Sequence, residues 1–294
     1  MQRLVPVPPD LASWLEAAVV VDAPQALAQS HFPAMVSSML VVRLAGHVAC
    51  RGTAVPPSAW ISASTTATVY AHSGPVRAVG LVLRPVAAGA LWAGARGLVN
   101  TWRSVAELAG PGWAEVENAV RAAADDGARL AVLCQFIRQR VAPPSPCEAW
   151  RQQALALLRA GNASAGSGAG DVAGQRIGLS TRQLERRFAT HWGMSPKQFQ
   201  VIARLNGALG QAVAMEPGPG GQGAALAVDQ GYYDQSHLAR DVRRLAGQPL
   251  QALVQGARTP FTAHWPLQIG AQAQHAQPAQ PREPGPVQGA SRNR

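Results

Sequence analysis

The 294-residue chain lacks several features that mark particular classes of protein. Its three cysteines form no CxxC pair, which argues against a zinc-binding module or a disulfide framework and favours a reducing, cytoplasmic compartment. We find no secretory signal peptide and no apolar run of about 18 residues, so the sequence predicts no membrane-spanning helix and no membrane partner. A glycine-rich phosphate-binding loop and a serine nucleophile elbow are also missing, which counts against most nucleotide-dependent and hydrolytic enzymes.

Charge is sparse, and its distribution along the chain is uneven. Only 14% of the residues are charged, yet the formal net charge is +10. Residues 1–144 carry 11 basic and 8 acidic side chains (+3), residues 145–262 carry 12 and 7 (+5), and the remainder carries 3 and 1 (+2). The basic excess in the second half fits contact with phosphates, but it is too small to identify a nucleic-acid-binding region by itself.

Residues 179–193 (LSTRQLERRFATHWG) predict a short capped helix with one apolar face. Ser180 is a good N-cap, and Gln183 stands where it completes a capping box. Leu179 and Leu184 have the spacing of a hydrophobic staple, and at about 100° per residue Leu184 shares its face with Phe188. A solvated surface helix would show the same pattern, so this stretch alone is ambiguous. The opposite face carries side chains that bond phosphates and base edges: Arg182, Gln183, Arg186 and Thr190.

The same pattern recurs 54 residues further on, where Asp234 takes the capping position of Ser180. There Tyr233 and Leu238 form the expected staple, and Leu238 and Val242 form the core pair. Two such helix-turn-helix units in one chain predict a tandem reader of DNA. The outward face of the second helix carries Ser236, His237, Arg240 and Arg244. The predicted turn and helix-ending glycines are Gly178, Gly231, Gly193 and Gly247.

A third helical pattern joins the two units. Ser195 is its predicted cap, Pro196 its first residue, and the pattern continues to about residue 215. Some twenty residues at 1.5 Å each span roughly 30 Å, and successive major-groove faces on one side of B-DNA lie about 34 Å apart. This rod would seat both units in adjacent major-groove segments. Gly207 and Gly210 each weaken it by up to about 1 kcal/mol, which predicts a bend.

Residues 231–253 (GYYDQSHLARDVRRLAGQPLQAL) resemble the C-terminal signature of AraC/XylS-type transcriptional regulators, and residues 178–199 resemble the matching first half. The resemblance covers about residues 144–257. Departures are a glycine-crowded segment at 161–178, where the family has a well-formed helix, and a loose loop at 217–223. The resemblance implies that Thr181, Arg182, Gln183 and Arg186 face one DNA segment. It implies that Gln235, Ser236, His237 and Arg240 face the next.

Partners beyond double-stranded DNA are left open by the resemblance. They include RNA polymerase, an unidentified small-molecule effector and a second copy of the chain in a homodimer. Residues 73–92 (SGPVRAVGLVLRPVAAGALW) also look like the N-terminal domain of a subset of these regulators, which implies a sensing or oligomerising role. The sequence therefore predicts a sequence-specific transcription factor whose DNA binding is modulated through its N-terminal part.

The first half reads as strands followed by helices, an α+β arrangement. Short β-branched or apolar runs at 39–44, 67–70 and 76–83 predict strands, and helical periodicity predicts helices at 87–98, 113–124 and 129–141. We predict a sensor domain at 1–142, an all-α DNA-binding domain at 143–261 and a disordered tail at 262–294. Residues 145–148 (SPCE) form a capping box that opens the first helix of the second domain, through Trp150 and Leu158.

Several residues have both a functional and a structural interpretation. His31, His47 and His72 lack the close H-x-H pairing of many metal sites, so structural or surface roles are favoured and no metal or cofactor is predicted. Cys134 lies on an apolar helical stripe and is expected in the core. Four tryptophans either line an effector pocket or, as the simpler interpretation, fill the core: Trp60, Trp92, Trp102 and Trp113.

The sequence leaves two alternatives to a regulator. Some DNA-repair methyltransferases carry domains of this type, but they need a reactive cysteine. Here Cys147 is followed by Glu148, which would not lower the pKa of a thiol, so an enzyme is not expected. A non-sequence-specific, chromosome-associated DNA-binding protein would have a higher charge density and no paired base-facing helices. The ratio of specific to non-specific DNA affinity separates it from a regulator.

Overall fold

The computed structural model of the chain describes residues 2–25, 27–92, 96–141, 149–160, 169–215 and 222–257. Seven of the eight strands precede the first α-helix, and only helices follow residue 104 in the described ranges, which confirms the predicted α+β first half and all-α second half. The strands form one antiparallel sheet in the order β1-β2-β7-β4-β6-β8, with β3 paired to β7 and β5 to β4. Their bounds are β1 Gln2–Val5, β2 Leu15–Ala23, β3 Gln29–Phe32, β4 Ser38–Cys50, β5 Thr53–Ala54, β6 Ser58–Ile61, β7 Thr68–Leu83 and β8 Trp102–Ser104.

The two longest strands bend together at a pair of glycines. The predicted strands at 67–70 and 76–83 are one strand, β7, so their separation into two strands is wrong. Gly46 on β4 and Gly74 on β7 both adopt positive φ angles, and a Cβ on Gly46 would collide with the carbonyl of Pro75. The register of β4 against β7 shifts on either side of Ala45. Proline and glycine here bend a continuous strand because a bulge tolerates the missing amide donor.

Side chains alternate between two different environments along β4. Leu40 and Val42 enter the main core beneath the helices. Met39 and Val41 face the other side of the sheet, where they line a cavity. The sheet therefore has a helix-covered face and a cavity-bearing face.

The helices of the first half cover the sheet at α1 (Pro85–Leu91), α2 (Val105–Ala109), α3 (Trp113–Ala122) and α4 (Asp126–Arg140). The predicted helix at 87–98 is shorter than expected. It ends because Trp92 is extended (φ −152, ψ 132), and its ring packs edge-on against Trp60 at 6.3 Å. Trp60, Trp92 and Trp113 are buried in the main core with Cys134, which confirms their core assignment. Trp102 is half-buried and lines a separate polar depression of about 400 Å³.

The second half contains helices only, within the ranges described. They are α5 (Ala149–Ala160), α6 (Ala169–Arg176), α7 (Thr181–Trp192), α8 (Pro196–Ala214), α9 (Gln222–Asp229), α10 (Gln235–Ala246) and α11 (Leu250–Ala257). The predicted helix through Trp150 and Leu158 is α5. The capping box at 145–148, the domain boundary at 142–143 and the tail at 262–294 lie outside the described residues.

The two halves share one main core and several polar contacts. Nε1 of Trp192, at the end of α7, donates to the carbonyl of Pro85 at 2.9 Å. Asn206 of α8 donates through Nδ2 to the carbonyl of Ala34 at 2.8 Å, and its Oδ1 accepts from the amide of Val36 at 3.3 Å. The loop between β3 and β4 is therefore fastened to the helical half.

Neither a membrane-spanning helix nor a cluster of metal ligands occurs in the described ranges. None of the helices described there has the length and apolar character that crossing a bilayer requires. The described histidine, cysteine and acidic side chains form no group of three or more that could hold a metal ion. Of the three N-terminal histidines, His72 places Nε2 2.7 Å from Oγ of Ser30, and His47 is exposed.

Candidate nucleic-acid interface

The first helix-turn-helix unit consists of α6, a turn and α7. Ser180 caps α7 in a capping box: its Oγ accepts from the amide of Gln183 at 3.3 Å, and its own amide donates to Oε1 of Gln183 at 2.9 Å. Leu184 and Phe188 are fully buried, and Leu179 packs against the same core. These contacts fix α7 with its polar face outward.

The outward face of α7 consists of exposed polar side chains. Oγ1 of Thr190 donates to the carbonyl of Arg186 at 2.9 Å, and the side-chain oxygen of the exposed Gln183 accepts from the amide of the cap residue Ser180. Within the described chain, Arg182 and Arg186 form no hydrogen bond or ion pair. The residues predicted to face DNA, all exposed in the structure, are Thr181, Arg182, Gln183, Arg186 and Thr190.

The second unit repeats the cap and the core pair but not the turn. Oδ1 of Asp234 accepts from the amide of His237 at 2.6 Å, and Leu238 and Val242 are buried. The predicted staple between Tyr233 and Leu238 is wrong, because Tyr233 is 88% exposed and the preceding Tyr232 is buried instead.

The physical reason is the length of the turn. The left-handed glycine of the first unit, Gly178, lies two residues before its cap, whereas Gly231 lies three residues before Asp234. Because of the extra residue, Tyr232 points inward, at the place where the sequence repeat had predicted Tyr233. The helix-ending glycines agree with the repeat: Gly193 and Gly247 are both left-handed C-caps.

The outward face of α10 is more strongly held by the protein than that of α7. Nε of Arg240 donates to the carbonyl of Ser236 at 3.3 Å. Nη2 of Arg244 lies 2.8 Å from Asp241, so this arginine is ion-paired rather than free. His237 is half-buried, and its ring packs edge-on against Tyr232 at 5.2 Å. Gln235, Ser236, Arg240 and Arg244 are exposed.

The helix between the units, α8, has 19 residues and is therefore about 28 Å long. Ser195 and Gln198 form a second capping box at its start, with bonds of 2.9 and 3.2 Å. Its buried residues Phe199, Ile202 and Leu205 join the core shared with both units. The predicted linker helix is thus present, with bounds close to those expected.

Comparison with known proteins identifies this region. A family model described as "Helix-turn-helix domain" matches residues 174–255. The C-terminal part of the chain is an AraC-type helix-turn-helix domain. The chain is accordingly a DNA-binding transcriptional regulator. No curated protein matches it.

Solved structures of ToxT from Vibrio cholerae resemble the chain at low sequence identity. ToxT of strain O395 bound to (E)-4-(8-methylnaphthalen-1-yl)but-3-enoic acid has a TM-score of 0.50 and 9% identity, covering 81% of this chain and 98% of that chain. Another structure from O395 has a TM-score of 0.49, 7% identity and coverages of 81% and 97%. ToxT of strain SCE256 bound to an unsaturated fatty acid has a TM-score of 0.47, 7% identity and coverages of 81% and 94%.

An ionic network that the sequence did not reveal fastens the second unit of the AraC-type domain to α8. Asp241, only 8% exposed, lies 3.5 Å from Nη2 of Arg204 on α8 and 2.8 Å from Arg244. Nη1 of Arg204 donates to the carbonyl of Gly231 at 3.2 Å, and its guanidinium stacks 4.2 Å over the ring of Tyr232. Burial raises the pKa of Tyr232 to about 12. The sequence offered one indication of this network, because Asp241 is the one acidic residue among the arginines of α10.

The C-terminal ends of α7 and α10 both abut the N-terminal half. At the end of α7, a Cβ on Gly193 would collide with the carbonyl of Gly97. At the end of α10, the carbonyl of Leu245 accepts from the amide of Ala34 at 2.7 Å, and Gly247 lies against Ala67. Each outward-facing helix is therefore anchored to the sheet domain at one end.

Proposed function

We propose that this regulator reads a specific DNA site with both units at once, α7 in one major-groove segment and α10 in the next. The observation that carries the proposal is the pair of capped, amphipathic helices with exposed arginines, Arg186 and Arg240, at equivalent positions. The linker α8 is about 28 Å long, close to the roughly 34 Å between successive major-groove faces. Its buried side supports a rigid spacer rather than a flexible one.

The side chains exposed on α7 and α10 favour sequence-specific recognition over general binding to DNA. The outward faces of α7 and α10 combine arginine with glutamine, serine and threonine, which bond base edges as well as phosphates. The net charge of +5 over residues 145–262 is modest for a protein that binds through phosphates alone. A chromosome-associated protein is therefore the second candidate, and an enzyme is not proposed.

Control of DNA binding through the N-terminal half is supported by the contacts that anchor α7 and α10 to the sheet domain. Because Leu245 and Trp192 are bonded to the sheet domain, a change in that domain alters how α7 and α10 are held. The ligand bound in the ToxT structure of the same fold supports a small molecule as the signal. The proposed regulatory region is residues 1–142, and the proposed DNA-binding region is residues 143–261.

Selection from randomised DNA tests sequence-specific binding. The full chain is incubated with the pool, bound fragments are sequenced, and affinities for the best site and a scrambled site are compared at one salt concentration. A regulator should prefer its site by about a thousandfold or more. Enrichment of no common sequence, with similar affinity for all fragments, would favour the chromosome-associated alternative.

Coupling between the halves is tested with Asn206→Ala, which removes two bonds to the β3–β4 loop. We expect the affinity for the selected site to change while the base preference is kept. Gln211→Ala is the matched control, since it lies on the same helix and bonds Asp229 and Gln230 instead. Equal affinities of Asn206→Ala and wild type would contradict the coupling.

A further inference from the structure

The cavity on the side of the sheet that Met39 and Val41 face has the character of a small-molecule site. Its volume is about 190 Å³, and Val19, Phe32 and Val41 are among the apolar side chains that line it. By comparison, an apolar cavity of about 150 Å³ holds benzene. The volume therefore matches an apolar group of about eight non-hydrogen atoms, much smaller than a long acyl chain.

Among the described residues that line the cavity, Arg43 is the one permanently charged side chain. Arg43 follows Met39 and Val41 on the same face of β4, and its half-buried side chain lines the cavity. Its Nη2 donates to the carbonyl of Val55 at 2.8 Å. Within the described ranges it has no carboxylate partner, whereas neighbouring Arg121 is paired with Glu117 at 2.7 Å. Burial and the nearby charge of Arg121 lower the pKa of Arg43, as expected for a cation that lacks a counter-ion.

A neutral polar group also lines this cavity. His72 of β7 also lines the cavity, with Nε2 2.7 Å from Oγ of Ser30. Burial, followed by the charge of Arg43, lowers the pKa of His72, which keeps the imidazole neutral. Its Nδ1 is buried without a hydrogen-bond partner among the described residues. The mostly apolar cavity therefore contains one positive charge and one neutral imidazole among its described lining residues.

We infer that this cavity binds a small monocarboxylic acid, with its carboxylate on Arg43 and a single ring or short branched chain against the sheet. The inference rests on the proposed control through the N-terminal half and names the ligand class of that control. A guanidinium forms two parallel hydrogen bonds with a carboxylate, and such charge-assisted bonds are about twice as strong as neutral ones. A carboxylate thus supplies the missing counter-ion, while a neutral molecule of equal shape leaves Arg43 unpaired.

The geometry also links an occupant to the DNA-binding helices. Phe32 ends β3 and Met39 lies near the start of β4, and both line the cavity. The loop between these strands carries Ala34 and Val36, which bond Asn206 of α8 and Leu245 of α10. An occupant that moves either strand end therefore acts on the loop that touches both helices.

The test compares cyclohexanecarboxylate with its neutral isostere cyclohexanecarboxamide, using calorimetric titration of the full chain without DNA. We expect the carboxylate to bind at least about tenfold more tightly than the amide. Oleate, which exceeds the cavity, is expected to bind more weakly than cyclohexanecarboxylate. If the unmodified protein binds acid and amide with equal affinity, or does not bind the acid at all, the inference is overturned.

Variants then locate the carboxylate. Arg43→Met is expected to lose at least about tenfold in affinity for the acid and little for the amide, and Arg43→Lys to recover part of the loss. Arg3→Met is the matched control, because Arg3 is exposed beside the cavity residue Gln2 but does not line the cavity. Equal losses in Arg43→Met and Arg3→Met would overturn the assignment. Because no DNA is present, the result is independent of whether the proposed DNA recognition holds.

Discussion

The two helix-turn-helix units differ in how far the protein itself holds their outward side chains. On α7, Arg182 and Arg186 are exposed and unpaired within the described structure. On α10, Asp241 pairs with Arg244 and lies 3.9 Å from Nε2 of His237. Side chains already held in place lose less conformational freedom on binding. We therefore expect the second unit to show the sharper base preference, and the first to tolerate more sequence variation.

The largest effect is expected from removing the charge at the centre of this difference. Asp241→Asn leaves Arg204 without its acidic partner at a largely buried position on α8. Breaking such a pair from one side costs about 3 kcal/mol, because a charge stays buried without compensation. Urea unfolding, followed by helical circular dichroism, should show a loss of this size in the free energy of unfolding.

Asp229→Asn is the control for this change. Asp229 lies on α9, is exposed and accepts a bond from Gln211 at 3.1 Å. Because an exposed carboxylate remains hydrated, its loss should change stability by less than about 0.5 kcal/mol. Similar small losses in both variants would show that Asp241 does not fasten α10 to α8, and the contrast between the units would fail.

The next effect concerns DNA affinity. Arg186→Ala and Arg240→Ala should each weaken binding to the selected site by about 1–3 kcal/mol and relax the preference at different base pairs. The relaxation should be greater for Arg240→Ala, because the outward side chains of α10 are already held in place by the protein. Affinities for a panel of single-base variants of the site measure both quantities.

Arg187→Ala serves as the reference for these two variants. Arg187 lies on α7, but its guanidinium stacks over the ring of Trp150 at 5.2 Å instead of joining the outward face. We expect it to leave the base preference unchanged. Uniform weakening on all sequences by Arg186→Ala and Arg240→Ala, with a shallower salt dependence, would indicate phosphate contact instead of base recognition.

Local features of the fold could be predicted from the sequence because their causes lie within a few residues. Ser180 and Gln183 form the expected capping box, and Leu184 and Phe188 are buried as their spacing indicates. The role of Asp241 could not be predicted, since its partner Arg204 lies 37 residues away on another helix. Spacing along α10 alone does not distinguish a surface aspartate from a buried one.

Other features of the fold depend on single-residue shifts or on the tertiary structure, which a sequence pattern does not reveal. One extra residue in the second turn exchanges the environments of Tyr232 and Tyr233 without disturbing the match of Asp234 to Ser180. A bulge at Gly74 likewise turns two predicted strands into one. The cavity beside Arg43 is lined by residues of six strands, β1 to β4, β6 and β7, so it follows from the tertiary fold and not from any one segment.

The smallest effect checks the corrected turn. Tyr233→Ser should change the free energy of unfolding by less than about 0.5 kcal/mol, because the side chain is exposed. Leu179→Ala, at the position that the 54-residue repeat matches to Tyr233, removes a side chain packed on the core and should cost about 1 kcal/mol or more. Thermal unfolding of both variants is sufficient. A larger loss for Tyr233→Ser than for Leu179→Ala would restore the staple expected from the repeat.

The most direct test of tandem recognition is to change the spacing of the two DNA segments. Inserting about five base pairs rotates one segment by about half a helical turn, so a linker helix of about 28 Å can no longer present both fronts to the same side of the duplex. Footprinting and equilibrium titration of the full chain should then show protection of one segment and a loss of affinity of about tenfold or more. Unchanged affinity with the insertion would show that a single unit engages DNA, and would contradict the account.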